Sequence, residues 1–232
     1  MNFFKLPLLA TSLLLIGCGS SDKANSDIKQ ATTIEKAKEN VKSLGAIGNF
    51  EKAFSSFQSS KMAKIPEAQN IQCEKSGTLS IEISENQQVT TITMKECQNR
   101  DEYINGVLTI TEYDDNRGKF EMDNLTIKDN ELTLTAKNFI EVYNDSEGWN
   151  TLNGNLDIAS KCFTGSFAFK TLEKLIDAKG DTDTLESGKI ELNGAVYTFN
   201  NPNVTITAGS ETVTMLQSEL EKKFENTTEC KQ

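Results

Sequence analysis

The sequence predicts an α+β domain that is mainly β, with an antiparallel meander sheet packed by a helix before it and a short helix after it. Three observations lead to this fold class. Apolar residues and threonines alternate with period two in segments such as 77–81, 89–94 and 131–135, which is typical of strands with one buried face. Clusters of Asn, Asp and Gly separate these segments, and apolar residues at helical spacing precede them. A curled sheet and a sandwich-like sheet both fit this pattern.

The first 17 residues are predicted to be an export signal. Lys5 supplies a positive charge ahead of an apolar run over residues 6–16, whose length is that of a signal peptide rather than of a membrane-spanning helix. The run ends in Leu15-Ile16-Gly17-Cys18, which resembles the lipobox of bacterial lipoproteins. The resemblance implies that a diacylglycerol is attached to the Cys18 thiol and that the signal peptide is cleaved just before this residue.

Residues 18–30 are predicted to be a flexible tether, followed by a single exported domain over residues 31–232. The tether is polar, rich in Ser, Asp and Lys, and without periodicity. The residue after the cysteine is Gly19, whereas aspartate at this position is the inner-membrane retention signal of enteric lipoproteins. The resemblance therefore implies a protein of the cell envelope that is anchored to the outer membrane.

The region 31–65 is predicted to be helical, because its apolar residues recur at spacings of three and four. These residues are Ile34, Ala37, Val41, Leu44, Ile47, Phe50, Phe54 and Phe57. Gly45 and Gly48 interrupt the pattern, and Pro66 marks the end of the region. The phenylalanine stripe either packs on the sheet, which is the interpretation we favour, or faces a membrane or a partner.

The strands are predicted to lie mainly within residues 70–215, where one short pattern recurs. It consists of glycine, any residue, Leu or Ile, any residue, and Ile or Leu, and it begins at Gly77, Gly106, Gly154 and Gly188. The unequal intervals argue against a strict solenoid. We interpret the glycines as points where a strand begins or bends and a side chain would clash, with a degenerate internal duplication as the alternative.

Two further helices are predicted from apolar spacing. The first covers residues 171–178 and precedes an acidic loop. The second covers residues 215–226, where Leu216, Leu220 and Phe224 share one face. This second helix is expected to cover the sheet or its edge.

Four cysteines lie beyond the lipobox, namely Cys73, Cys97, Cys162 and Cys230. An even number in an exported chain favours two disulfides. A hairpin that turns near Glu85 would place Cys73 opposite Cys97, and this would leave Cys162 to pair with Cys230. A zinc site is the competing interpretation, but the chain has neither C-x-x-C spacing nor histidine.

The composition gives no indication of catalysis. The chain has 34 acidic and 24 basic residues, a balance that repels nucleic acid, and it contains no histidine, which excludes Ser-His-Asp and Cys-His nucleophile systems. The sequence also lacks the G-x-S-x-G elbow and the phosphate-binding loops. We therefore expect neither enzymatic activity nor a cofactor.

Two local features of the sequence resemble binding sites. The acidic stretch offers oxygen ligands for calcium, but it does not follow the EF-hand pattern, so a solvated loop is favoured over a metal site. Its candidate ligands are Asp177, Asp181, Asp183 and Glu186. Trp149 follows a turn and either stacks on a ligand or, as we favour, anchors the core.

The sequence thus predicts a non-enzymatic lipoprotein of the outer membrane with a binding or structural role. Its expected partners are the membrane, through the acyl chains on Cys18, and an envelope protein or an apolar ligand. One alternative is a periplasmic carrier of lipid or of another apolar molecule, enclosed by a curved sheet. A second alternative is a hydrolase that acts through two carboxylates.

Overall fold

The computed structural model describes residues 28–40, 69–99, 102–130, 132–160, 164–178 and 181–220. Twelve antiparallel strands form one sheet in which each strand pairs with the next along the chain. The predicted fold class is confirmed. The strands are β1 (Gln69–Gln72), β2 (Ser76–Ile83), β3 (Val89–Asn99), β4 (Glu102–Asp114), β5 (Arg117–Lys128), β6 (Leu132–Asn144), β7 (Trp149–Ser160), β8 (Thr164–Ala178), β9 (Asp181–Leu192), β10 (Ala195–Asn200), β11 (Asn203–Ala208) and β12 (Glu211–Leu216).

One face of the sheet is buried, as the period-two pattern predicts. In β4, for example, Leu108 and Ile110 are buried, while Thr109 between them and Thr111 after them are partly exposed. The inward side chains form one continuous hydrophobic cluster that reaches from Leu79 in β2 to Ala208 in β11. Burial of each aliphatic side chain contributes about 1.5–3 kcal/mol, so this cluster is the main source of stability.

Three of the strands carry a bulge at which two consecutive residues face solvent. The pairs are Lys95-Glu96 in β3, Asp123-Asn124 in β5 and Lys137-Asn138 in β6. The second residue of each pair has a φ between 47° and 50°. A bulge bends its strand and shifts the alternation by one residue, so the strand keeps its apolar side chains inward on both sides of the bend.

The recurring glycines lie against irregular points of the neighbouring strand. A Cβ at Gly106 would lie 2.5 Å from the carbonyl oxygen of Asn124, and one at Gly154 would lie 2.4 Å from the carbonyl oxygen of Asn138. Both glycines also have φ near +130°, a conformation that side chains disfavour. The interpretation of a clash at a bend is therefore confirmed, although the glycines at 106 and 154 lie inside their strands rather than at the start.

The other two glycines of the pattern follow the same rule. A Cβ at Gly77 would clash with the backbone of Glu96, and one at Gly188 would clash with the backbone of Lys174. In all four copies, the second and fourth residues after the glycine are buried. These residues are Leu79 and Ile81, Leu108 and Ile110, Leu156 and Ile158, and Ile190 and Leu192. The four copies of the pattern therefore share one local geometry, a glycine against the neighbouring backbone followed by two inward side chains. An internal duplication stays a prediction.

Residues 171–178 form the second half of β8, so the predicted helix there is wrong. The pairing of β8 with β9 changes register four times between Thr171 and Ala178. These irregularities break the period of two, since Leu172 and Ile176 are exposed whereas Leu175 is buried. An irregular strand thus produced the apolar spacing that indicated a helix.

The predicted C-terminal helix begins two residues later than expected. Met215 and Leu216 belong to β12, where they pair with β11, and the helical residues of the described chain are 217–220. Gln217 fixes this junction, because its side-chain oxygen accepts a hydrogen bond from the amide of Leu185 and its side-chain nitrogen donates to the carbonyl oxygen of Leu185. Residues 221–226 of the prediction lie outside the described residues.

Helix α1 (Ile34–Asn40) docks on β11 and β12. The amide of Ile34 donates to Glu211 Oε2 at 3.0 Å, and the hydroxyl of Tyr197 donates to the carbonyl oxygen of Ala37 at 2.7 Å. Ala31 is buried just before the helix. The remainder of the predicted helical region, with its phenylalanine stripe, lies outside the described residues. None of the helices within the described ranges is long and apolar enough to cross a bilayer.

The disulfide between Cys73 and Cys97 is confirmed, with 5.5 Å between the Cα atoms. The predicted register of its hairpin is wrong, however, because Ser80 pairs with Thr93 and not with Thr90. Cys73 lies in the turn between β1 and β2, where its amide donates to the carbonyl oxygen of Gly77. Cys162 and Cys230 lie outside the described residues, so their disulfide stays a prediction.

Candidate functional site

The inward face of the sheet becomes polar near the ends of β6, β7 and β8. Glu141 in β6 is 3% exposed and Asn150 in β7 is 2% exposed, although their neighbours along the same face are apolar. Polar groups of this kind are costly to bury unless they are hydrogen-bonded. We name the residues at this end the hairpin-end cluster. It consists of Glu141, Tyr143, Asp145, Asn150 and Asp177.

Strands β6 and β7 place Tyr143 and Asn150 side by side. The two residues are directly opposite each other in the sheet, so their side chains leave the same face. The ring of Tyr143 stacks on Phe120 with 5.3 Å between the centroids. Gly118 leaves space for this ring, since a Cβ there would lie 2.5 Å from the tyrosine hydroxyl. The Tyr143 side chain is thus packed toward β5, on the side of β6 away from Asn150.

Asn150 is the most unusual member of the cluster. Both its Oδ1 and its Nδ2 are buried, and neither has a hydrogen-bond partner in the part of the chain that the structure describes. Its neighbour on β8 is Leu175, which offers no polar atom and is itself buried. A buried amide without partners costs about 1–3 kcal/mol. Asn150 therefore lowers the free energy of unfolding of the domain.

Asp177 lies two residues beyond Leu175 on β8, and it faces inward because it pairs with the buried Leu185. Its amide donates to the carbonyl oxygen of Gly148, which ties the strand to the turn before β7. Its Oδ1 is buried and has no partner within the described residues. Burial, and then the nearby charge of Asp145, raise the pKa of Asp177 to about 7.

Several carboxylates lie close enough to the Tyr143 ring to affect its ionisation. Burial is the main cause that raises the pKa of Tyr143 to about 12, and the charges of Asp145, Glu112 and Glu141 raise it further. These carboxylates come from the β4, β6 and turn segments that surround the ring.

The stability of the domain is expected to fall between about pH 4 and pH 7 through Asp177. The folded state holds this proton up to about pH 7, whereas the unfolded chain loses it near 3.8. The protonated Asp177 carboxyl therefore raises the free energy of unfolding at low pH. This contribution is lost as the pH rises through 7. With a discount for solvent screening, Asp177→Asn should stabilise the protein at pH 8 by about 1–2 kcal/mol.

Urea unfolding of the wild type and of Asp177→Asn at pH 5 and pH 8 measures this effect as the difference between the two proteins. Asp115→Asn, at an exposed turn position, is the matched control and should follow the wild type at both values. Asp145→Asn should give a smaller change in the same direction, because its charge is the lesser cause. A variant of Asp177 whose advantage is equal at pH 5 and pH 8 would contradict the assignment.

The predicted acidic loop is in part a strand. Asp177 ends β8 and belongs to the hairpin-end cluster, while Asp181 and Asp183 lie in β9. Glu186, also in β9, is exposed, and its Oε2 accepts a hydrogen bond from Asn201 at 3.2 Å. Among the described residues, no three His, Cys, Asp or Glu side chains are grouped to hold a metal ion.

Trp149 lies beside the cluster but faces the opposite side of the sheet, since it alternates with Asn150. It is partly exposed, so the favoured interpretation as a core anchor is wrong. The Lys174 ammonium lies 3.6 Å from the ring centroid, and the indole nitrogen donates to Glu147 Oε2 at 2.6 Å. The ammonium therefore occupies one face of the ring.

The sequence indicated only Asp177 among the members of the hairpin-end cluster. Asn150 carried a usable signal, because a polar residue stands at an inward position two residues before the buried Leu152. Tyr143 carried none, since its role depends on its pairing with Asn150 and on the space at Gly118. Comparison of the chain with known protein families, curated proteins and solved structures found no match.

Proposed function

We propose that this protein is a lipoprotein of the outer membrane with a non-enzymatic binding role, exerted by the hairpin-end cluster on the inward face of its sheet. The observation that carries the binding role is Asn150, whose two polar side-chain atoms are buried and have no hydrogen-bond partner among the described residues. A buried amide without hydrogen bonds destabilises the free protein, and a ligand that supplies the missing hydrogen bonds removes this destabilisation when it binds. The absence of histidine from the chain supports a role without catalysis.

The membrane location is supported by the lipobox-like sequence that ends in Cys18. Several acyl chains hold a protein far more firmly than one, since each buried methylene contributes about 0.8 kcal/mol. Residues 18–30 then connect the lipid to Ala31, whose amide donates to the carbonyl oxygen of Asn193 at 2.7 Å. A tether of this length reaches at most about 45 Å, so the domain stays close to the bilayer.

Replacement of the predicted lipid-bearing residue, Cys18→Ser, is expected to move the protein from the membrane fraction to the soluble fraction or to leave it as an uncleaved precursor. The measurements are fractionation of the cells and the intact mass, which should show acyl chains on the wild type only. Ser20→Ala is the control, and it should keep both the acyl mass and the membrane location. If the serine variant is cleaved and still sediments with membranes, the anchor is elsewhere.

The two alternative functions stay predictions. The carrier requires an apolar cavity, whereas the inward side chains of the described strands form a continuous cluster of large aliphatic and aromatic residues. The carboxylate hydrolase requires two acids at a fixed separation, of which Asp177 has the raised pKa that suits a general acid.

A further inference from the structure

We propose that two copies of this protein associate through β12, the last strand of the sheet, which pairs antiparallel with β12 of a second copy around a two-fold axis at Thr214. The inference goes beyond the proposed function and is independent of the hairpin-end cluster. It follows from the backbone groups at the outer edge of β12, from the regular form of this strand, and from the side chains that self-pairing brings together.

The outer edge of β12 carries backbone groups that no described strand uses. Within the described residues, β12 pairs with β11 alone. The amide of Gln217 donates to the carbonyl oxygen of Pro202 at 2.9 Å, so the backbone of Gln217 faces the β11 side. Successive residues of an antiparallel strand direct their amide and carbonyl groups to opposite sides. Those of Thr212 and Thr214, which are both exposed, therefore point away from β11 and are available to another strand.

The form of β12 does not protect this edge. Edge strands usually resist pairing because they are very short, bulged, or interrupted by lysine or proline. By contrast, β12 runs for six residues in unbroken register with β11 and contains neither lysine nor proline. The strand at the other end of the sheet, β1, has only four residues. The sheet is therefore easier to extend at β12.

Helix α1 leaves the edge accessible. It begins beside β12, where the amide of Ile34 donates to Glu211. It extends away from the edge to Ala37, whose carbonyl oxygen accepts a hydrogen bond from Tyr197 in β10. Because Glu211 is the first residue of β12, an axis at Thr214 places the beginnings of the two α1 helices at opposite ends of the paired strands, about 20 Å apart.

An axis at Thr214 also brings apolar side chains together. Residues at equal distances before and after Thr214 then face each other, so Val213 lies opposite the partner's Met215. Both side chains are only partly buried, and both pack against the core at its margin. Thr212 lies opposite the partner's Leu216, whose side chain is among the exposed large hydrophobic ones at 41%. Self-pairing thus shields three apolar side chains of each copy.

The charge of β12 is compatible with self-pairing. The chain has 34 acidic and 24 basic residues, so two copies repel each other at long range. Residues 212–216 carry no charged side chain, and the paired strands therefore add no contact between like charges. We expect association to become stronger at higher salt, because salt screens the repulsion between the other surfaces.

Sedimentation equilibrium measures this association for protein purified from whichever cell fraction contains it. The expected Kd is on the order of 100 μM, because one pair of strands buries a small area. Thr214→Lys places two like charges directly opposite each other and should weaken association by at least about tenfold. Thr205→Lys is the matched control. It removes the same hydrogen bond, which joins the hydroxyls of Thr205 and Thr214, but it lies on β11 and should associate like the wild type.

Thiol cross-linking tests the position of the axis. The Cα atoms of two residues that face each other and exchange hydrogen bonds are about 5.5 Å apart, which a disulfide can span. After mild oxidation, Thr214→Cys should form a covalent dimer. Thr212→Cys, on the same face of the strand, should form at least about tenfold less, because it faces Leu216 of the partner subunit. Both variants keep the same native cysteines, so their difference is due to the new thiol.

Four results would overturn the proposal. A monomer at about ten times the expected Kd would indicate that another segment of the chain covers the edge. Equal cross-linking of Thr214→Cys and Thr212→Cys would indicate unspecific contact. Cross-linking of Thr214→Cys to a different protein, and not to itself, would assign the edge to that partner. Equal weakening by Thr214→Lys and Thr205→Lys would assign the effect to the hydrogen bond between the two threonines.

Discussion

Gly154→Ala is expected to destabilise the domain by about 3–5 kcal/mol, which is enough to unfold much of a protein of ordinary stability. The new Cβ would lie 2.4 Å from the carbonyl oxygen of Asn138 and 2.5 Å from the Cα of Phe139. Both atoms belong to the backbone of the β6 bulge and cannot move away without disrupting the pairing of β6 with β7. The φ of +128° adds conformational strain to this clash.

Gly148→Ala provides the matched control. Gly148 also has a positive φ, at 63°, but a Cβ there would have no atom within 4 Å. This variant should lose only about 1 kcal/mol of stability, because alanine is less favourable than glycine at a positive φ. Urea unfolding of the two variants compares Gly154, where a clash adds to a φ of +128° that is nearly restricted to glycine, with Gly148, where a left-handed φ acts without a clash. Equal losses would show that the bulge does not press on Gly154, and the explanation of the recurring glycines would then fail.

Removal of the Cys73–Cys97 disulfide in the double variant Cys73→Ser/Cys97→Ala should cost about 3 kcal/mol. The bond closes a loop with a sequence separation of 24 residues, and the chain-entropy model gives a value of this size. Cys97 is also buried, so its replacement leaves a small cavity that adds to the loss. The measurement is the free energy of unfolding in urea under oxidising conditions.

The single variant Cys73→Ser tests the origin of this loss. It breaks the same cross-link but leaves the Cys97 side chain in the core, so it should account for most of the loss seen in the double variant. A small loss in the single variant, with a large one in the double variant, would assign the effect to the cavity. The disulfide would then contribute little.

The predictable part of the fold is the part encoded by neighbouring residues. The alternation in segments such as 77–81 and 131–135 predicted strands, and the clusters of turn residues predicted where they end. The same reasoning failed at residues 171–178, because four changes of register there disturb the alternation. It also failed in the hairpin of β2 and β3, where the predicted pairing differs from the observed one, Ser80 with Thr93.

The candidate site was less accessible to sequence analysis. The acidic stretch around Asp177 is visible in the sequence, but the raised pKa of this residue arises from burial and from Asp145, which lies 32 positions earlier in the chain. The pairing of Tyr143 with Asn150 requires the register of β6 and β7 next to the turn over residues 145–148, and the bulge at Asn138 changes that register only beyond Ile140. Such a register is a property of two strands, and no pattern within one strand specifies it.

By itself, the sequence determined which segments are strands, that they follow one another as a meander, and that Cys73 joins Cys97. Tertiary structure decided where the sheet bends, which residues the bends turn inward, and that the Asn150 amide and one carboxyl oxygen of Asp177 are buried near one end of it. The physical reason is distance along the chain. Side-chain alternation is set by adjacent peptide units, whereas a bulge opposite a glycine, and the burial of a polar group, depend on contacts with other strands.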